Sequence, residues 1–312
     1  MLSASNVQQI EATNCRVSSM AKLAFIGLGI MGFPMAGHLV TRGGHDVTVS
    51  NRTREKAYSW AARFGGKAAS TPAEAVQQCD IAFSCVGNDD DLREITLGPN
   101  GAFRHMKSGA VFVDHTTASA RVARELSAEA AKRNVGFLDA PVSGGQVGAE
   151  AGRLAVMVGG AEADFDRTKE TIGCFAASAS YVGGPGSGQL AKMVNQICVA
   201  GIIEGLSEAL HFAEANALDI SKVITAISKG AAQSWQMENR WLTMVSRKFD
   251  FGFAVDWMRK DLEICLEQAR TNNVSLPVTA LIDQFYADVQ RKGGGRLDCS
   301  ALISRFAPRS KH

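Results

Sequence analysis

The chain has 312 residues, long enough for two domains. It is 46% hydrophobic and 21% charged with a formal net charge of +2, so no basic block or acidic tail points to nucleic acid or a membrane surface as partner. Its seven cysteines are scattered, with no C-x-x-C pair and no cysteine–histidine cluster at metal-ligand spacing; this argues against a disulfide framework and a metal site, and for a reducing, cytoplasmic setting.

Residues 1–20 are polar and non-periodic. They fit neither a secretory signal nor a transit peptide and read as a disordered extension, with Met20 a plausible alternative start. No apolar run reads as long enough to span a bilayer. From residue 21 to 182, short apolar runs alternate with longer mixed segments. "KLAFIGL", "HDVTVSN", "DIAFSCV", "AVFVDHT", "VGFLDAP", "AVMVGG" and "ASYVG" read as strands. "REKAYSWAARF" and "ASARVARELSAEAAKRN" have helical periodicity. Strand and helix in alternation imply a mostly parallel, doubly wound sheet of the α/β class. "VGGPGSG" marks a boundary, and residues 183–312 read as all-helical. The long helix "QLAKMVNQICVAGIIEGLSEALHFAEAN" joins the two parts, apolar on nearly every side. Asp219 or Ser221 can cap the helix after it.

Gly27-Leu28-Gly29-Ile30-Met31-Gly32 is G-x-G-x-x-G between an apolar strand and a segment that can be helical. In that setting the first glycine makes the turn, the second admits a pyrophosphate, and the third lets helix pack on strand. Phosphate then meets free N–H groups at the helix start. The next strand ends in Asn51-Arg52-Thr53, where an NAD-binding chain usually has a carboxylate. A guanidinium forks onto a 2′-phosphate, with amide and hydroxyl as further donors, which favours NADP while leaving NAD possible. The bland alternatives are a bare strand-to-helix turn and a solvated arginine.

Ser143, Gly144 and Gly145 offer a hydroxyl and backbone N–H groups at a strand end, a nest suited to a small carboxylate, or simply a glycine loop. Lys192 falls near the start of the long helix. Partial desolvation and the positive helix end would both lower its pKa, preparing it to exchange a proton with a substrate oxygen. Asn195 and Gln196 follow within one turn and can share its face. Lesser candidates are His115 as a base, Trp235 as a pocket wall, Cys85 as packing, and the "NDDD" at 88–91, which reads as a capped helix start rather than a metal site.

Residues 24–40, 139–145, 186–196 and 260–262 together resemble the β-hydroxyacid dehydrogenases. The resemblance implies an N-terminal Rossmann domain, an all-helical second domain and a long helix between them. It implies NADP-dependent interconversion of a small β-hydroxyacid and its semialdehyde or oxoacid, with Lys192 as acid/base and Ser143, Gly144 and Gly145 on the substrate carboxylate. Lys260 would close over the cofactor, with Asp261 in support; Val86, Thr117 and Phe253 would border the nicotinamide. Lys192 to Gln196 reads K-x-x-N-Q, the form closer to the semialdehyde reductases, and Ala120 stands where relatives often carry proline. The apolar long helix is expected to pack subunits into a homodimer or homotetramer. An imine reductase-like enzyme and a non-catalytic NADP-binding scaffold are the rival readings.

Overall fold

The computed structural model describes residues 20–306, so the extension expected over residues 1–20 lies, but for Met20, outside the described residues. The chain divides into two compact units, Met1–Lys192 and Met193–His312.

The described residues of the first unit hold nine strands: β1 (Lys22–Ile26), β2 (Asp46–Ser50), β3 (Lys67–Ala69), β4 (Ile81–Ser84), β5 (Val111–Asp114), β6 (Gly136–Asp139), β7 (Val142–Ser143), β8 (Leu154–Gly160) and β9 (Ala176–Gly183). They form one sheet in the order β3-β2-β1-β4-β5-β6-β8-β7, with β9 paired to β8. Pairing is parallel from β3 through β6, and β8 runs antiparallel to β6 and β7. The chain order reverses beside β1, where β2 and β4 lie on either side; ligands of such sheets bind at the strand ends over that point. Every residue of β4 and β5 is buried, which explains the unbroken apolar runs there. Alternate residues feed two cores. Phe25, Val49, Phe83 and Val113 enter one; Ala24, Ile26, Ala82 and Phe112 enter the other. Two strands carried no readable signal. β3 is "KAA" and β7 has two residues, too short for a period-2 pattern.

The helices of this unit are α1 (Gly32–Thr41), α2 (Arg54–Phe64), α3 (Pro72–Ala75), α4 (Asp89–Leu97), α5 (Ala120–Ala131), α6 (Gly145–Ala151) and α7 (Glu162–Ile172). The Asn88 side chain caps α4 by accepting the Asp91 N–H, as the "NDDD" turn suggested. Asp89 accepts from the Ser119 N–H (2.8 Å) and Oγ (2.5 Å), and Ser119 Oγ in turn caps α5.

The long helix α8 spans Ser187–Ala215, and its residues from Met193 belong to the second unit. That unit continues with α9 (Ile220–Ile227), α10 (Trp235–Val245), α11 (Val255–Thr271) and α12 (Pro277–Arg291), then two short 3-10 turns. Asp219 caps α9 by accepting the Lys222 N–H. Ile203, Leu210, Met244, Met258, Leu262 and Tyr286 are among the residues of its core. One expectation needs correction. By length and composition alone α8 is long and apolar enough to cross a membrane. Interspersed Gly, Ala, Ser and amide residues keep any apolar run short, while the average stays high.

Candidate active site

The glycine loop joins β1 to α1. Gly27 has φ +94°, and a Cβ there would overlap the Cys85 carbonyl oxygen; a Cβ on Gly32 would overlap the Gly27 carbonyl oxygen. Both glycines are therefore demanded by the chain itself. Gly29 is different: a Cβ there would meet nothing within 4 Å. No packing in this molecule requires glycine at that position, so its absent side chain fits an external group lying against the backbone. α1 carries neither a side-chain cap nor an acidic residue in its first turn, which suits a phosphate. These residues fit a dinucleotide: Gly27, Leu28, Gly29, Ile30, Met31 and Gly32 form the loop that would hold its pyrophosphate.

Asn51, expected as a donor to a 2′-phosphate, is also a brace. Its Oδ1 accepts the Leu28 N–H (2.8 Å) and its Nδ2 donates to the Thr53 carbonyl (2.9 Å), tying the glycine loop to the β2–α2 turn. Arg52 extends into solvent and meets Asp91 at 3.3 Å. Thr53 starts α2 without a side-chain cap bond, leaving it exposed beside Arg52.

A buried carboxylate organises the ends of β4 and β5. Asp114 Oδ1 accepts from Ser84 Oγ (2.7 Å), Thr116 Oγ1 (2.7 Å) and the Thr116 N–H (3.1 Å). Thr116 Oγ1 then accepts the Val86 N–H at 3.0 Å, so Val86 and the Thr116–Thr117 turn share one anchor. Burial outweighs these donors and pushes the Asp114 carboxyl up to about 7. His115 points the other way. Its ring lies parallel to Phe83 and edge-on to Phe175, with Nδ1 2.6 Å from the Ala140 carbonyl oxygen. Burial lowers its pKa to about 4. A ring wedged among aromatics is a core residue, and His115 is not placed to act as a base. Cys85 packs against the same core, as expected.

Lys192 is buried, 7% exposed, and is the sixth residue of α8. The start of that helix is held by Asp139, the last residue of β6. Its Oδ1 accepts the Gly186 N–H (2.8 Å) and its Oδ2 the Gln189 N–H (2.9 Å). Burial raises the Asp139 carboxyl while these backbone donors pull it down. The carboxylate sits at the positive end of α8, where it satisfies two of the free N–H groups of the helix start.

The Ser143–Gly145 segment follows immediately. Ser143 ends β7 opposite Ala155, and Gly144 (φ +126°) and Gly145 (φ +60°) lie exposed at the start of α6. The other end of α6 is held by α1. His38 Nε2 contacts the carbonyl oxygens of Ala149 and Glu150 at 3.0 and 3.1 Å; Arg42 donates to those of Ala151 and Gly152 at 2.7 and 3.1 Å. The helix that begins at the glycine loop thus also sets the segment carrying Ser143, Gly144 and Gly145. Sequence reasoning missed Asp114, Asp139, Gln189, His38 and Arg42. The signal for Asp139 was a strand-end acid combined with a helix that has no acidic residue in its own first turn.

In the second unit, Asn195 Nδ2 donates to Gln196 Oε1 (2.8 Å) and Gln196 Nε2 donates to Asp261 Oδ2 (2.7 Å). Lys260 Nζ stands 3.3 Å from Asp261 Oδ1 and 5.5 Å from the centre of the Trp257 ring. The buried carboxylate of Asp261 therefore links the Gln196 amide to Lys260. The Phe253 N–H donates to Asp298 Oδ2 at 2.9 Å, and its ring packs partly against the helical core. Trp235 is half exposed, with the Arg240 guanidinium 4.7 Å from its ring centre, rather than a core residue.

Comparison with known proteins agrees with this geometry. Residues 22–183 match the NAD-binding domain of 6-phosphogluconate dehydrogenase. Residues 186–306 match the NAD-binding domain of NADP-dependent 3-hydroxyisobutyrate dehydrogenase. An uncharacterized oxidoreductase of Shewanella frigidimarina is 60% identical over 92% of this chain and 98% of its own length. The 2-hydroxy-3-oxopropionate reductase of Escherichia coli is 36% identical over 93% and 99%. The solved structure of Mycobacterium tuberculosis 3-hydroxyisobutyrate dehydrogenase with L-serine superposes with a TM-score of 0.84 at 28% identity, covering 92% of this chain and 99% of that one. A Gly29 open to an external group, a buried lysine on the long helix and both domain matches lead to one conclusion: the chain is an NAD(P)-binding oxidoreductase acting on CH–OH groups and belongs to the β-hydroxyacid dehydrogenase family.

Proposed function

We propose that this enzyme interconverts a small β-hydroxyacid and its semialdehyde or oxoacid with NADP(H), and that Lys192 is the general acid/base. The observation that carries the reading is Lys192, a side chain with an ionisable amine, only 7% exposed, on the helix that starts at the end of β6. Lysine is rarely buried unless it is paired or used, and ionisable groups in buried positions cluster at functional sites. When bound, the nicotinamide ring supplies the hydride acceptor or donor. In oxidation, Lys192 Nζ takes the proton as the O–H bond breaks; the C–H bond breaks with loss of hydride, and C=O forms. In reduction, Lys192 returns the proton to the oxygen. Ser143 Oγ and the backbone of Gly144 and Gly145 hold the carboxylate and orient the reacting carbon. Arg52, with Asn51 and Thr53 beside it, takes the 2′-phosphate. Its contact with Asp91 leaves it largely in solvent, where it can turn to a new anion. Val86 and Thr117 border the nicotinamide, with Lys260 and Phe253 of the helical unit assigned to the cofactor and Asn195 and Gln196 to the substrate. The small-carboxylate reading is supported by the L-serine in the mycobacterial relative's structure. The NADP preference is supported by the family that residues 186–306 match.

The test is NADPH and NADH oxidation with glyoxylate, succinic semialdehyde, tartronate semialdehyde and methylmalonate semialdehyde. Lys192→Ala is expected to lower kcat by about a hundredfold or more while the NADPH Kd stays within about twofold. Near-normal turnover by that variant would remove the lysine from the mechanism.

A further inference from the structure

Resting on the assignment of Lys192 above, we propose that Asp139 and Gln189 are positioning residues that set the place of this lysine against the nicotinamide edge of the sheet. Asp139 accepts two N–H groups three residues apart, Gly186 and Gln189, one on each carboxylate oxygen. One such bond would let the helix start pivot; two of them fix both its height along the axis and its rotation. Gln189 then reaches sideways. Its Oε1 accepts the Ala118 N–H (3.0 Å) and its Nε2 donates to the Thr116 carbonyl (2.7 Å), bracketing Thr117. Gln189 is 1% exposed, so water does not compete for these bonds. Slippage is also blocked sterically. A Cβ on Gly188 would overlap the Asp139 carbonyl oxygen, and a Cβ on Gly159 would stand 2.6 Å from the Gly188 nitrogen. Lys192 follows Gln189 by three residues, nearly one turn, on the same helix. The first turn of α8 is thus a rigid mount joining the lysine to the β5–α5 turn that carries Thr117. A misplacement of about 1 Å between reacting groups costs on the order of a hundredfold in rate.

Asp139→Asn turns one accepting oxygen into an NH2 that faces a backbone N–H. Gln189→Met keeps the length of the side chain and removes both sideways bonds. With NADPH and succinic semialdehyde (or whichever semialdehyde of the panel reacts fastest), each is expected to lower kcat by about tenfold to a hundredfold. KM and the NADPH Kd should stay within about twofold, the pattern of a lost transition-state interaction. Single-turnover rates supply the decisive readout, because Asp139→Asn should cost nothing further in a Lys192→Ala background. If Asp139→Asn does not fold, Gln189→Met and its double variant with Lys192→Ala carry the same test. Unchanged kcat in the folded variants, or additive losses in the double variants, overturns the positioning role. Normal turnover by Lys192→Ala alone would instead overturn the reading on which it rests.

Discussion

At the scale of single residues, the glycines of the first loop separate two causes that a sequence pattern merges. Gly27 and Gly32 are occupied by the chain's own backbone, whereas Gly29 faces open space. Gly27→Ala is therefore expected to destabilise the fold, since it combines overlap at the Cys85 carbonyl with a φ of +94° that costs about 1–2 kcal/mol for a residue with a side chain. Gly29→Ala should keep the wild-type Tm and lose NADPH affinity. Thermal melts with and without NADPH distinguish the two, and a Gly29→Ala protein that binds NADPH normally would refute the pyrophosphate assignment. The same scale shows why Asp139 escaped sequence reasoning. A strand-end aspartate has many uses, and only the folded chain brings Gly186 and Gln189, some fifty positions later, onto its two oxygens.

At the scale of elements, the C-terminal end of β5 carries two neighbours whose burial has opposite consequences. Asp114 is raised to about 7, above the value of about 3.9 expected in the unfolded chain. Its contribution to stability is full below pH 4 and is lost as pH rises through 7. His115 is lowered to about 4 from an unfolded value of about 6.5. Its contribution is full above pH 6.5 and is lost as pH falls through 4. Between those limits the two slopes oppose each other. Asp114→Asn should make stability climb more steeply with pH between 4 and 6.5, and His115→Asn should make it fall across the same window. Urea midpoints at several pH values report both slopes; parallel curves for both variants and the wild type would contradict the burial argument. Elements also show what spacing can reveal. α2 begins and ends where "REKAYSWAARF" does, because Gly65 terminates it at φ +80°, whereas β3 has no local signal and exists only as a parallel partner of β2.

At the scale of the whole molecule, the second unit leaves apolar side chains of α8 in water. Val194 is 63% exposed and Phe212 67%. That motivates the proposal of a homodimer or homotetramer, since exposed apolar side chains on a long helix favour burial against another copy. Sedimentation should find an oligomer for the wild type and a smaller species for Phe212→Glu. A monomeric wild type would refute it.

By itself the sequence determined the alternation of strands and helices, the long helix, the glycine loop and the lysine, because each is encoded by residues adjacent in the chain. Periodicity, glycine spacing and helix caps are local physics. Tertiary structure alone decided what the buried carboxylates hold: Asp114 gathers Ser84 and Thr116, and Asp139 gathers Gly186 and Gln189. It also removed His115 from the chemistry by stacking it on Phe83. Hydrogen bonds across tens of residues leave no periodic trace. They depend on strand order, which is set by the burial of both faces of the sheet rather than by any short stretch of sequence.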